Sequence, residues 1–221
     1  MKVILFGASG MVGQGVLREC LLDPGVEKVL SVGRSPVGSK HEKLEGIVRK
    51  DLSDLGSAEG ELQGFDACFF CLGVSSAGMK EADYRRVTYD LTLAVAQTLA
   101  RLNPNMTFIY VSGTGTDSSE RGRVMWARVK GATENALLKL PFKAAYMFRP
   151  GVIRPLHGII SKTRLYRILY TFAGPLIAAA GLVMPDWVTT TERVGKAMIR
   201  VAREGAPKPF LENRDINSLA K

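Results

Sequence analysis

The chain opens on an uninterrupted apolar run, Val3-Ile4-Leu5-Phe6, followed at once by Gly7-Ala-Ser-Gly10-Met-Val-Gly13. A run of this kind reads as a strand covered on both faces. A G-x-x-G-x-x-G series between such a strand and a helix permits a tight turn, a close approach of backbone to ligand, and helix packing against the strand. The helix that starts there presents unpaired N–H groups and its positive dipole end. That is a cradle for a diphosphate. Gly7, Ser9, Gly10, Met11, Val12 and Gly13 are therefore read as the pyrophosphate contacts of a dinucleotide.

The rest of the sequence repeats the same rhythm. Apolar strand patterns at Val29–Val32, Gly46–Arg49, Ala67–Cys71, Thr107–Ser112 and Ala144–Phe148 alternate with helical patterns at Gly13–Leu22, about Glu81–Leu102 and about Val124–Leu138. Strands that alternate with helices imply a parallel sheet. The fold class expected is α/β, a Rossmann-type doubly wound parallel sheet with a small C-terminal capping region. The whole of 1–221 is read as one domain, too short for two of ordinary size. Residues 152–221 are expected to contribute the substrate cap, an amphipathic helix at about Thr191–Arg203 and a last strand at Pro209–Glu212.

About twenty residues past the glycine turn, the second strand ends Val32-Gly33-Arg34-Ser35, and no acid follows before Glu42. An NAD site places Asp or Glu here to accept the ribose hydroxyls. A guanidinium instead binds a 2′-phosphate bidentately and stacks on adenine. Arg34 therefore points to NADP, with NAD the lesser expectation.

The formal net charge of +9 comes from Lys and Arg spread as singles and pairs, such as Arg85-Arg86, rather than in one block. This reads as a solvated basic surface, and nucleic acid is not an expected partner. Three cysteines make no disulfide framework. Cys68 and Cys71 have CxxC spacing inside a strand, where residues three apart face opposite ways, so they are not read as a redox pair. His41 and His157 stand alone in sequence, and no metal site is expected. Met1-Lys2 lead directly into the first strand, which reads as a protein kept in a reducing cytoplasm.

Taken together, Gly7–Gly13, Asp51-Leu52, Cys71-Leu72-Gly73, Val111-Ser112-Gly113-Thr114, Lys130-Gly-Ala-Thr-Glu134 and Arg149-Pro150-Gly151 resemble the short-chain dehydrogenase/reductases, most closely the atypical, epimerase/dehydratase-like members. The resemblance covers residues 1 to about 155, and Val188-Thr-Thr-Thr-Glu-Arg-Val-Gly-Lys-Ala is similar to the family's small capping region. It implies that Asp51 and Leu52 border the adenine and that Leu72 and Gly73 lie along the cofactor. It also places Ser112 to Thr114 at the catalytic hydroxyl position, Pro150, Gly151 and Val152 beside the nicotinamide, and Lys130 on the ribose. Members usually carry Tyr-x-x-x-Lys; here Trp126 stands four residues before Lys130. An indole N–H donates a hydrogen bond but transfers no proton near neutral pH.

Three routes follow from that departure. Thr114, Asp117 or a water held by Lys130 donates the proton; or the substrate needs no strong acid, as with an activated double bond or a quinone; or only cofactor binding is retained. The expected activity is thus an NADP(H)-dependent oxidoreductase acting on an apolar or extended small molecule, with Ser112, Thr114, Trp126 and Lys130 as candidate catalytic residues. A non-catalytic NADP(H)-binding regulatory or scaffold protein is the alternative. The uncharged 17-residue stretch Ile168–Met184, broken by Gly174-Pro175, falls just under the length of a membrane span. It reads first as a lid over the site, with a peripheral membrane contact or a homodimer face as the other readings.

Overall fold

The computed structural model describes residues 1–159 and 186–221. The lid expected at 168–184 therefore lies outside the described residues. Strand β1 (Lys2–Phe6) is central: Val3, Ile4, Leu5 and Phe6 are all 0% exposed. Its side chains alternate. Ile4 and Phe6 enter one apolar cluster and Val3 and Leu5 the other, as the two-residue period of a strand requires.

The same division runs across β2 (Lys28–Gly33), β4 (Ala67–Phe70) and β5 (Thr107–Val111). With β3 (Leu44–Val48), β6 (Ala144–Arg149) and β9 (Phe210–Glu212), they form a seven-stranded sheet in the order β3-β2-β1-β4-β5-β6-β9. Every pairing is parallel. The doubly wound expectation is met. Strand order reverses between β1 and β4, so the crevice at their C-terminal ends is where such a sheet takes a ligand.

The first face is covered by α3 (Leu91–Leu102), which buries Val95, Ala96 and Leu99, and by a 3-10 segment at Gly56–Leu62. The helix expected from Glu81 to Leu102 is present but not uniform: α2 (Glu81–Arg85) passes through a π turn at Arg86–Asp90 into α3. Helix α4 (Met125–Leu137) lies against this segment and is tied to it by Arg128 Nη2, 2.7 Å from Glu81 Oε2.

The second face is covered by α1 (Met11–Leu22) and α5 (Thr191–Glu204), with α6 (Asn213–Leu219) closing the C-terminal end. Helix α5 was read with the cap region. It instead buries Val194, Ala197, Met198 and Val201 against the sheet and α1, because its apolar stripe at i, i+3, i+4 and i+7 needs a broad apolar partner. Its first turn is capped by Thr190 Oγ1, which accepts from Arg193 N–H at 3.0 Å. Two short strands, β7 (Val152–Arg154) and β8 (Val188–Thr190), pair beside the main sheet and escaped the sequence pattern.

Helices α1 and α5 approach closely because Gly15 has no side chain. A Cβ there would lie 2.8 Å from the Thr191 carbonyl oxygen. Gly15→Ala gains about 1 kcal/mol of helix propensity but overpacks this contact by about 1–3 kcal/mol. The expected outcome is a urea midpoint lowered by the equivalent of about 1 kcal/mol; an unchanged or raised midpoint contradicts this packing.

Candidate active site

Gly7 follows β1 at φ +83°, a left-handed conformation that favours glycine. A Cβ there would sit 2.7 Å from the Cys71 carbonyl, so the tips of β1 and β4 touch through this residue. A Cβ on Gly13 would overlap the Gly7 carbonyl oxygen, which lets the first turn of α1 lie directly on the loop. Gly10 N–H donates to Gly7 C=O at 2.9 Å and Gln14 N–H to Gly10 C=O at 2.8 Å. The amides of Met11, Val12 and Gly13 therefore have no acceptor within the helix. The N-cap, Gly10, gives no side-chain cap, and the first turn holds no acid. The residues from Gly7 to Gly13 are thus gathered at one turn, whose free donors and uncompensated helix dipole suit an anion such as a diphosphate.

Along the same edge, Arg34 sits exposed just beyond β2. Asp51 accepts from Ser53 N–H at 2.8 Å and Ser53 Oγ at 2.6 Å, bonds that hold its carboxyl below the usual range. Leu52 is buried in the first core face, so its contribution to an adenine pocket is packing beneath it. Leu72 leans on the same core, and Gly73 faces open space, with nothing within 4 Å of a Cβ placed there. Cys68 and Cys71 belong to opposite core faces, as the strand period predicts.

The far end of the crevice is built from β5, α4 and β6. Lys130, on α4, is largely buried and its Nζ donates to the Ser112 carbonyl. Burial pushes its pKa down to about 8, against an upward pull from Glu134. Thr114 N–H donates to Pro150 C=O at 2.9 Å, and its hydroxyl donates to Arg149 C=O at 3.0 Å, which joins this loop to the end of β6. Gly151 N–H is held by Asn213 Oδ1 at 2.9 Å, and Val152 is exposed beside it. Trp126 is half-buried, with its ring edge 3.5 Å from the Cβ position of Gly115. The indole lines the wall of the loop at Gly115.

Two expectations fail here. Ser112 is not at a reacting position: it is 6% exposed, and its hydroxyl donates to Glu134 Oε1 at 2.5 Å. Glu134 is itself 0% exposed and takes a two-pronged ion pair from Arg149, with Nη2 at 2.5 Å and Nε at 3.1 Å. Arg149 also reaches Ser118 Oγ and Glu212 Oε1. Ser112 is thus a structural member of a buried polar network. Asp117 is not a proton donor either. Its carboxylate accepts from Ser119 Oγ at 2.6 Å, Gly122 N–H at 2.6 Å and Ser119 N–H at 3.0 Å, which hold it below the ordinary carboxylate range and therefore ionised.

Sequence reasoning passed over Glu134 and Arg149 as actors. The signal lay in Glu134 standing four residues after Lys130 on a helix, one turn along the same face. His157, read as isolated, sits 2.9 Å from Glu192, whose carboxyl is pushed down to about 2 by Lys196 and His157. Their ligand atoms and those of Glu19 lie within 4.8 Å of one another, but Arg18 and Lys196 already pair with the two carboxylates. This group and a hollow of about 380 Å³ lie between α1 and α5, off the crevice.

The profile of the NAD dependent epimerase/dehydratase family matches residues 3–120. The chain belongs to that family. It is 27% identical over 206 residues to the Emericella nidulans protein named fmp52, mitochondrial, covering 90% of this chain and 85% of that one. The Rattus norvegicus protein HTATIP2 is 30% identical over 154 residues, 69% of this chain and 62% of its own length. Among solved structures, a UDP-glucose 4-epimerase superposes with a TM-score of 0.68 at 16% identity, covering 99% of this chain and 80% of that one. The Bordetella bronchiseptica enzyme WbmF in complex with NAD+ gives 0.67 at 15% identity, covering 99% and 76%. The fold and a nicotinamide dinucleotide site are thereby supported. The cytoplasmic setting read from the sequence is overturned, since the fmp52 relatives are named as mitochondrial proteins. Among the described residues no helix is long and apolar enough to cross a membrane.

Removing one side of the buried pair in Glu134→Gln should cost about 3–5 kcal/mol in stability. Ser112→Ala should cost about 1–2 kcal/mol and leave dinucleotide affinity within about threefold of the parent. A Ser112→Ala protein of parental stability with lost turnover would contradict the structural role given to this hydroxyl.

Proposed function

We propose that the chain is an NADP(H)-dependent oxidoreductase of the atypical short-chain type, acting on an apolar or extended substrate, with Lys130 as the proton source that replaces the usual tyrosine. The single observation that carries this reading is the environment of Lys130. A half-buried cation at the end of the crevice, its pKa drawn to about 8, is a competent acid at neutral pH.

The other candidates are committed elsewhere. Ser112 donates inward, Asp117 is ionised, Thr114 donates to a carbonyl, and an indole gives up no proton. The glycine turn would hold the diphosphate, Arg34 the 2′-phosphate, and Lys130 the ribose hydroxyls. A bound reduced nicotinamide supplies the hydride. The ammonium of Lys130 passes a proton to the developing oxyanion and regains it from water. Glu134, one helical turn away, keeps enough negative potential nearby for the lysine to be charged at neutral pH.

The second reading, a binding protein without turnover, is favoured by Trp126 standing where the family places its acid. NADPH oxidation against a panel of carbonyls, quinones and enones separates the two. The oxidoreductase is expected to turn over at least one class, with kcat falling as pH rises through about 8, because the proton donor is lost there. Lys130→Met should cut kcat by about a hundredfold or more. Lys130→Arg, which stays charged, should remove the falling limb near pH 8. Tight NADPH binding with no turnover on any panel member would establish the second reading.

A further inference from the structure

The tips of β1, β2 and β3 stand side by side on the edge that carries the glycine turn, about 4.8 Å apart from strand to strand. Gly33 is in register with Val48, so the next residues on the two strands are Arg34 and Arg49. Arg49 N–H donates to Gly33 C=O at 2.9 Å, which fixes the second arginine's backbone against the first strand tip. Two guanidinium stems therefore leave adjacent strand ends on the same edge.

Neither side chain forms an ion pair or hydrogen bond within the described residues, and the neighbouring acids are taken. Glu45 pairs with Lys28 at 2.7 Å, and Asp51 accepts from Ser53. Arg49 differs from a solvated surface arginine in one respect: its Nε is buried and has no partner. A buried N–H left unmade is a cost to folding, and two like charges on adjacent strand tips add to it. Both costs vanish when a dianionic phosphate monoester sits between the stems, since each guanidinium can then bind it with parallel N–H donors.

We propose that Arg49 is the second arm of the adenosine 2′-phosphate site, closing from β3 opposite Arg34, and that it sets the preference for the phosphorylated dinucleotide. The proposal rests on the NADP(H) reading above and adds to it a residue that sequence spacing did not indicate. A residue serving the fold alone would be missed by the ligand-free protein. A residue serving the phosphate would be missed only by a ligand that carries one.

The test titrates NADPH and NADH, by their own fluorescence, into the parent protein and into Arg49→Met, Arg49→Lys and Arg34→Met, with ligand-free melting temperatures alongside. Arg49→Met keeps an aliphatic stem and removes the unpaired donor. It should weaken NADPH by about tenfold or more, leave NADH within about twofold, and not lower the ligand-free melting temperature. Arg49→Lys, a point charge without the fork, should fall between the two, and 2′,5′-ADP should compete less well against either variant. The proposal is overturned if Arg49→Met weakens both dinucleotides alike, or lowers the ligand-free melting temperature while the NADPH-to-NADH ratio stands. If Arg34→Met shifts that ratio and neither Arg49 variant does, the proposal fails and the NADP(H) reading survives. A parent protein that prefers NADH removes both.

Discussion

Gly7 touching the tip of β4 is the contact on which the rest of the site depends. Its left-handed backbone and the Cys71 carbonyl, 2.7 Å from where a Cβ would be, bring the ends of β1 and β4 together at the point where strand order reverses. Gly13 then lets α1 begin on top of that turn, with three amides unbonded and no acid in its first turn. Backbone geometry, not side-chain chemistry, makes this end of the crevice suited to an anion.

The other end of the crevice depends on a buried carboxylate. Glu134 has no exposure to solvent, and Arg149 and Ser112 supply the hydrogen bonds that satisfy its buried carboxyl oxygens. Through those bonds α4, the end of β5 and the end of β6 are fixed to one another, and Arg149 carries the connection on to Ser118 and to Glu212 on β9. Lys130 borrows from the same charge. Desolvation pulls its proton off and Glu134 pulls the other way, which leaves its pKa at about 8.

What the sequence made legible was local. A strand buried on both faces, a glycine series and a helix share a dozen residues, so their joint meaning is visible without knowing any neighbour. The place of Arg34 at the tip of β2 was legible for the same reason, since it lies at a fixed distance from the turn. Ser112 was misread because its partner, Glu134, is 22 residues away and decides where the hydroxyl points. Arg49 carried no signal at all. Its interest arises from strand pairing that puts it beside Gly33, and from an Nε that finds no acceptor. Helix α5 had a clear amphipathic stripe, but a stripe does not say which surface it meets, and that surface proved to be α1 and the sheet.

The family places this chain among dinucleotide-binding proteins, and the glycine turn is the physical feature that membership requires of it. Thermal unfolding of the unaltered protein in the presence of NADPH tests that most directly. A ligand that binds only the folded state at a hundred times its Kd adds about 2.7 kcal/mol, which for a chain of this size raises the melting temperature by about 5–10 °C. NADPH should produce such a rise, and NADH a smaller one at equal concentration. A melting temperature that neither dinucleotide moves, at millimolar concentration, would contradict it.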